Sequence, residues 1–127
     1  MKSKTWTFPI LRLTLQQAAQ RRADRHQSRL AFWQAELTTA TNRLKSEGVT
    51  IEEPAEARQH TTYAGNMQIV IDPSMQQRVR ECQDKVRDHR DRLAEFRRWE
   101  AAFSGTPLES FDCDIDDLTH FGIYTER

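Results

Sequence analysis

The chain has 127 residues, 37% of them hydrophobic and 30% charged, a composition that fits one domain of elongated helical build better than a globule with a deep interior. Four Gly and four Pro are too few for an all-β fold or a glycine-rich phosphate loop, and no stretch approaches the roughly 20 apolar residues that span a bilayer. Net charge is zero but unevenly partitioned, at +4 over residues 12–47 and +2 over 73–103 against −3 over 48–72 and −5 over 104–127, so loop and tail can neutralise basic helix faces in the same chain or a neighbouring copy.

At the N-terminus, Lys2 and Lys4 precede an apolar stretch broken by Pro9 and Arg12 that lacks a small-residue cleavage site, so it does not read as a signal peptide. Trp6, Phe8 and Ile10 alternate, which predicts a short extended arm. A first long helix is expected over 12–47. Thr14 is the expected cap, with Gln17 completing a capping box, Pro9 is the alternative start, and Gly48 is the stop. Along it Ala19, Ala23, His26, Leu30, Trp33, Leu37, Ala40 and Leu44 recur at steps of four and three, a narrow seam for lengthwise helix packing.

Residues 48–72 are too long for a tight helix turn, and their ends, Val49-Thr50-Ile51 and Met67-Gln68-Ile69-Val70-Ile71, predict a small antiparallel β ribbon. Between them, residues 54–58 suit one helical turn and 64–66 a chain reversal. The second long helix is expected over 73–103, capped by Asp72 with Pro73 at its first position and ended by Ser104, Gly105 and Pro107. Its seam is Met75, Val79, Cys82, Val86, His89, Leu93, Phe96 and Phe103, with Glu100 at the remaining turn. In the tail, 104–127, the acids at 114–117 predict the start of a short helix that Gly122 ends.

These elements predict a mainly all-α single domain, 1–127, built as a long antiparallel two-helix coiled-coil hairpin with a β ribbon at its tip and a short C-terminal helix. Seam layers would pair Leu44 with Met75, Leu37 with Cys82, Trp33 with Val86, Leu30 with His89, His26 with Leu93 and Ala23 with Phe96. His26 and His89 then fall in adjacent layers.

Candidate chemistry is sparse. His26, His89 and Cys82 are the soft metal ligands near the seams, but the proposed register separates Cys82 from His26, so the histidines read as a polar seam that sets register. Asp112, Asp114 and Asp116 open like a calcium loop, yet Asp117 and Ile123 stand where the loop needs Gly and Glu. Basic residues at 21–25 and 87–98 offer a phosphate-binding stripe, but acids such as Asp84, Asp88, Asp91 and Glu95 interleave with the second of these at ion-pairing spacing. Ser104, Ser110 and His120 form no nucleophile motif, and Glu52 and Glu53 have no identifiable acid–base partner. No catalytic, metal or cofactor-binding residue is therefore assigned, and no cofactor is expected.

The aromatics carry the functional expectation. Trp6, Phe8, Phe32, Trp99, Phe103, Phe111 and Phe121 are the candidate interface, read either as anchors for a second subunit or partner or as an intrachain cap where both termini fold onto the helix ends. The Phe8-Pro9-Ile10-Leu11 lead-in to an Arg/Gln-rich helix resembles the helical-hairpin stalk proteins of flagellar and type III export, and a coiled coil with a β tip is similar to prefoldin subunits; neither resemblance carries a functional residue across. The reading is a non-enzymatic helical-hairpin interaction or adaptor protein that forms a homodimer or binds another protein, with no membrane partner. Nucleic-acid association through the basic helix faces is the alternative, and an enzyme comes third. Cys82 on a helix seam and Cys113 in the acidic tail stand at no short motif spacing, for which a reducing cytoplasm is the simplest compartment, although two lone cysteines do not by themselves exclude a disulfide.

Overall fold

The structure is a computed structural model describing residues 6–52 and 68–124. It is mostly helical. In chain order come β1 (Phe8–Leu11), α1 (Arg12–Arg43), a π-helical turn (Leu44–Gly48), β2 (Val49–Glu52), β3 (Gln68–Ile71), α2 (Pro73–Gly105), β4 (Ser110–Cys113) and α3 (Ile115–His120). The turns expected at 54–58 and 64–66 lie outside the described residues. No described helix is long and apolar enough to cross a membrane. The chain divides into two compact units, one formed by Met1–Leu30 with Asp88–Arg127 and the other by Ala31–Arg87.

In the first unit, β1 pairs antiparallel with β4, placing Phe8 opposite Cys113, Ile10 opposite Phe111 and Leu11 opposite Ser110. The Arg12 amide then donates to the Glu109 carbonyl at 2.8 Å. Strand pairing thus runs straight into the helix, and α1 starts at Arg12, not behind a Thr14 cap. The expected capping box lies inside the first helical turns because the ladder already fixes the chain up to Leu11.

Under the ribbon, α1 presents Leu15, Ala18, Ala19 and Ala23, each at most 1% exposed. Three alanines in two turns leave room for large partners, and the space is filled by Phe96 and Phe103 of α2, Cys113 of β4, and Leu118 and Phe121 at α3. The tail helix is specified at both ends. Asp114 accepts from the Asp117 amide at 2.8 Å while the Asp117 carboxylate accepts from the Asp114 amide at 3.2 Å, a reciprocal capping box. At the other end Gly122 takes φ +74°. Its amide donates to Thr119, and that of Ile123 to Leu118, the paired bonds of a Schellman stop.

In the second unit, α1 widens into the π-helical turn before Gly48. A Cβ on Gly48 would stand 2.7 Å from Leu44 Cδ1 and 2.9 Å from Met75 Sδ, so the absence of a side chain lets the turn close on α2. Val49–Glu52 then pair antiparallel with Gln68–Ile71, the ribbon expected from the β-branched runs. Asp72 opens α2: its Oδ1 accepts from the Ser74 amide (2.9 Å), the Ser74 hydroxyl (2.7 Å) and the Met75 amide (3.3 Å). Cys82 and Val86 are buried, and Trp33, Leu37, Ala40, Leu44, Met75 and Val79 are half-buried.

Candidate functional site: a histidine and aromatic ring cluster

The seam histidines come together. His26 Nδ1 and His89 Nδ1 lie 3.0 Å apart, so one ring donates its Nδ1 proton and the other accepts it. His26 also stacks on Phe96, with centroids 5.8 Å apart and planes 9° from parallel. The other stacking neighbour of Phe96 is His120, at 5.0 Å and 28°. His120 Nε2 in turn meets Glu95 Oε2 at 2.6 Å.

From Phe96 the rings continue through Phe121, which packs edge-on against Trp99 and Phe103, and Phe103 meets Phe111 at 5.5 Å. Such edge-to-face and offset contacts add about 0.5–1.5 kcal/mol per pair beyond area burial. The cluster therefore joins α1, α2, β4 and α3 of the first unit through rings alone.

Two arginines of α1 close the ends of the other helices. Arg12 donates to the Phe103 carbonyl at 3.2 Å, near the C-terminus of α2, and Arg22 donates to the Thr119 carbonyl at 3.3 Å, in the last turn of α3. Each cation sits at the negative end of a helix dipole, and Arg22 adds a second donor to the Thr119 carbonyl that already accepts from the Gly122 amide. Arg97 draws the two long helices together within this unit, donating to Asp24 (3.0 Å) and Gln27 (2.8 Å) on α1 and to Glu100 (3.2 Å) on its own helix.

Electrostatics follow from these neighbours. Burial is the main cause holding His26 below the ordinary histidine range, and His89, Arg22, Arg92 and Arg25 act in the same direction. Burial works to raise the Glu95 carboxyl, but the hydrogen bond and charge of His120, with Arg92 and a hydrogen bond from Trp99, hold it below the usual glutamate range. Burial pushes the Cys113 thiol up, reinforced by Asp117, Asp114 and Asp112, which disfavours the thiolate.

The candidate interface residues divide. Phe103 and Phe121 are each 6% exposed and Phe111 is half-buried, all inside the ring cluster. Trp6, Phe8, Phe32 and Trp99 are exposed, at 79%, 43%, 52% and 41%. Trp99 is shared, since its ring stacks on Phe103 with planes 20° apart while part of it faces outward. In the second unit Phe32 packs edge-on against Trp33, over which Arg78 and Lys85 sit at 5.6 and 6.0 Å.

His120 shares no helical repeat with the seam histidines, so periodicity alone does not group it with them. The available signal was the Asp114-to-Gly122 framing, which places His120 and Phe121 together at the end of a short helix. Among the described residues no group of three or more His, Cys, Asp or Glu is placed to hold a metal. Compared with family models, curated proteins and solved structures, the chain matches none.

Proposed function

We propose that this chain is a non-enzymatic interaction protein, an antiparallel helical hairpin that self-associates or serves as an adaptor in the cytoplasm. The observation that supports it is the apolar surface left open in the first unit. Trp6 is 79% exposed, Leu11 62%, Leu13 55% and Leu108 56%, all on or beside the β1–β4 ribbon and the start of α1, while Phe103, Phe111 and Phe121 fill the inside. Exposed large apolar groups gathered in one region are what interaction surfaces present. Light scattering at micromolar concentration on the parent and on a Trp6→Ala/Leu11→Ser variant tests it. The expected result is a parent dimer and a monomeric variant with unchanged circular dichroism; a parent that stays monomeric at every accessible concentration removes self-association.

A second reading rests on Arg21, Arg25 and Arg29. They are exposed, stand at i, i+4 and i+8 on α1, and make none of the ion pairs found among the described residues. Their rise of about 6 Å per step makes a cationic stripe suited to a polyanion backbone. Binding to single- or double-stranded nucleic acid that weakens steeply with salt, and is lost on replacing the three arginines by glutamine, would favour this reading over the first.

A further inference from the structure

We propose that the rings around Phe96 form a two-way pH switch, in which protonation separates His26 from His89 while it strengthens the hold of His120 on Glu95. The device does not depend on what the chain binds. It follows from the protons the two contacts can accept. Two imidazoles whose Nδ1 atoms are 3.0 Å apart share one proton between them. Neutral, one ring is the Nδ1–H tautomer and the other accepts; a first added proton can still be accommodated, but a second places hydrogens on both facing nitrogens and turns the bond into a repulsion.

On the His26 ring the surroundings oppose even the first charge. His26 is faced by Arg22 and Arg25 from its own helix and by His89 and Arg92 from α2. The stacked face of Phe96 adds partial desolvation.

The other contact has the opposite sign. His120 Nε2 lies 2.6 Å from a carboxylate oxygen, so protonation converts a neutral hydrogen bond into a charge-assisted one. Its charged surroundings are Glu95 and Arg92 on α2, themselves paired at 3.4 Å, Arg22 of α1 at the Thr119 carbonyl, and Asp116 and Asp117 in the first turn of α3. The Glu95 carboxyl is held below the usual glutamate range, so it meets the imidazole as a carboxylate at about pH 5.5 and above.

The linkage sign is set by these directions. A histidine whose folded value is depressed contributes its full stability above its unfolded value, and that contribution is lost as pH falls toward the folded value. Acidification through the histidine range therefore loosens α1 from α2 around His26 and His89. Over the same range the ion pair keeps α3 on α2. The result is a partial opening of the helix pairing with the tail still docked, not a uniform unfolding.

Hydrogen exchange of the full chain, corrected for intrinsic rate and compared at about pH 7.5 and about pH 5.5, spans the histidine transition and reads both contacts at once. In the parent, protection over residues 22–30 and 88–93 is expected to fall severalfold at the lower pH while that over 115–121 is held or rises. A His26→Leu/His89→Leu variant should lose the first change and keep the second. Glu95→Gln should do the reverse, letting the tail loosen with the helices. Should the double leucine variant fail to fold, His89→Gln carries the same test, since glutamine accepts no proton in this range. A uniform loss of protection in the parent, or the same fall over 22–30 in the histidine variants, would overturn the switch.

Discussion

The two units are cut from the same pair of helices and carry the same apolar repeat, yet they bury it to different depths. In the second unit the seam buries Cys82 and Val86 and leaves Trp33, Leu37 and Met75 half-covered. The first unit adds β4 and α3 over the helices and buries nine of its described residues in one cluster, from Leu15 to Phe121. A heptad seam defines a narrow line of contact, and a line becomes a core only where a further layer closes over it. The tail is that layer.

The largest expected effect tests this contrast. Phe103→Ala removes a ring that is 6% exposed and touches Trp99, Phe111 and Phe121, so it should cost about 3–5 kcal/mol. Val86→Ala, equally buried but in the second unit, should cost about 1.5 kcal/mol for its lost methyl groups. Urea denaturation followed by circular dichroism compares them; equal costs would show that the tail adds no more cohesion than the seam does alone.

How far each unit could be read from sequence follows the same division. Every expected seam residue from Ala19 to Leu44 and from Met75 to Phe103 is buried or half-buried, because a helical repeat is written in neighbouring positions. The Asp72 cap, the β2–β3 ribbon and the Gly122 stop were legible for the same reason. The pairing of β1 with β4 was not, since Phe8 and Cys113 lie a whole chain apart and alternation alone names no partner. That pairing is also what moved the helix start from Thr14 to Arg12. The register placed His26 and His89 only in adjacent layers, opposite Leu93 and Leu30, so their direct contact came from side-chain reach across layers, and the stack of His120 on Phe96 depended on where the tail lands.

At the tail's own stop, Gly122→Ala forces a residue with a Cβ to φ +74°, which costs about 1–2 kcal/mol. The new atom would also stand 2.7 Å from Arg22 Nε and displace the guanidinium that meets Thr119. Part of the loss should therefore vanish in an Arg22→Ala background, giving a coupling above about 0.5 kcal/mol in a double-mutant cycle. Strict additivity would leave backbone strain as the whole effect.

The caps offer a gentler comparison between the units. Asp114→Ala removes the reciprocal box of α3 and should cost about 1 kcal/mol. At the start of α2, the Ser74 hydroxyl, then the Met75 and Ser74 amides, hold the Asp72 carboxyl below the usual aspartate range. Its contribution is therefore present above the ordinary aspartate value and lost as pH falls through the depressed one. Asp72→Asn keeps an acceptor and should flatten that acid limb of the stability curve. An unchanged limb would assign it to other carboxylates.

The smallest effects belong to the two arginine networks, one in each unit. Arg97 reaches Asp24 at 3.0 Å and Gln27 at 2.8 Å, and Arg78 reaches Glu36 at 3.1 Å with the Trp33 ring 5.6 Å away. The arginine side chains are 40% and 46% exposed, so water screens both, and each ion pair should couple by about 0.2–1 kcal/mol in a double-mutant cycle. Salt separates the contacts further. At about 1 M the screening length is about 3 Å, so the couplings of Arg97 to Asp24 and of Arg78 to Glu36 should shrink toward zero. The bond to the neutral Gln27 amide has far less to lose, and an Arg97–Gln27 cycle should keep most of its value. A coupling to Glu36 that exceeds about 2 kcal/mol or survives salt would mean that Arg78 is shielded from water in the working protein, as it would be if the thinly covered second unit were itself covered by a second copy or another partner.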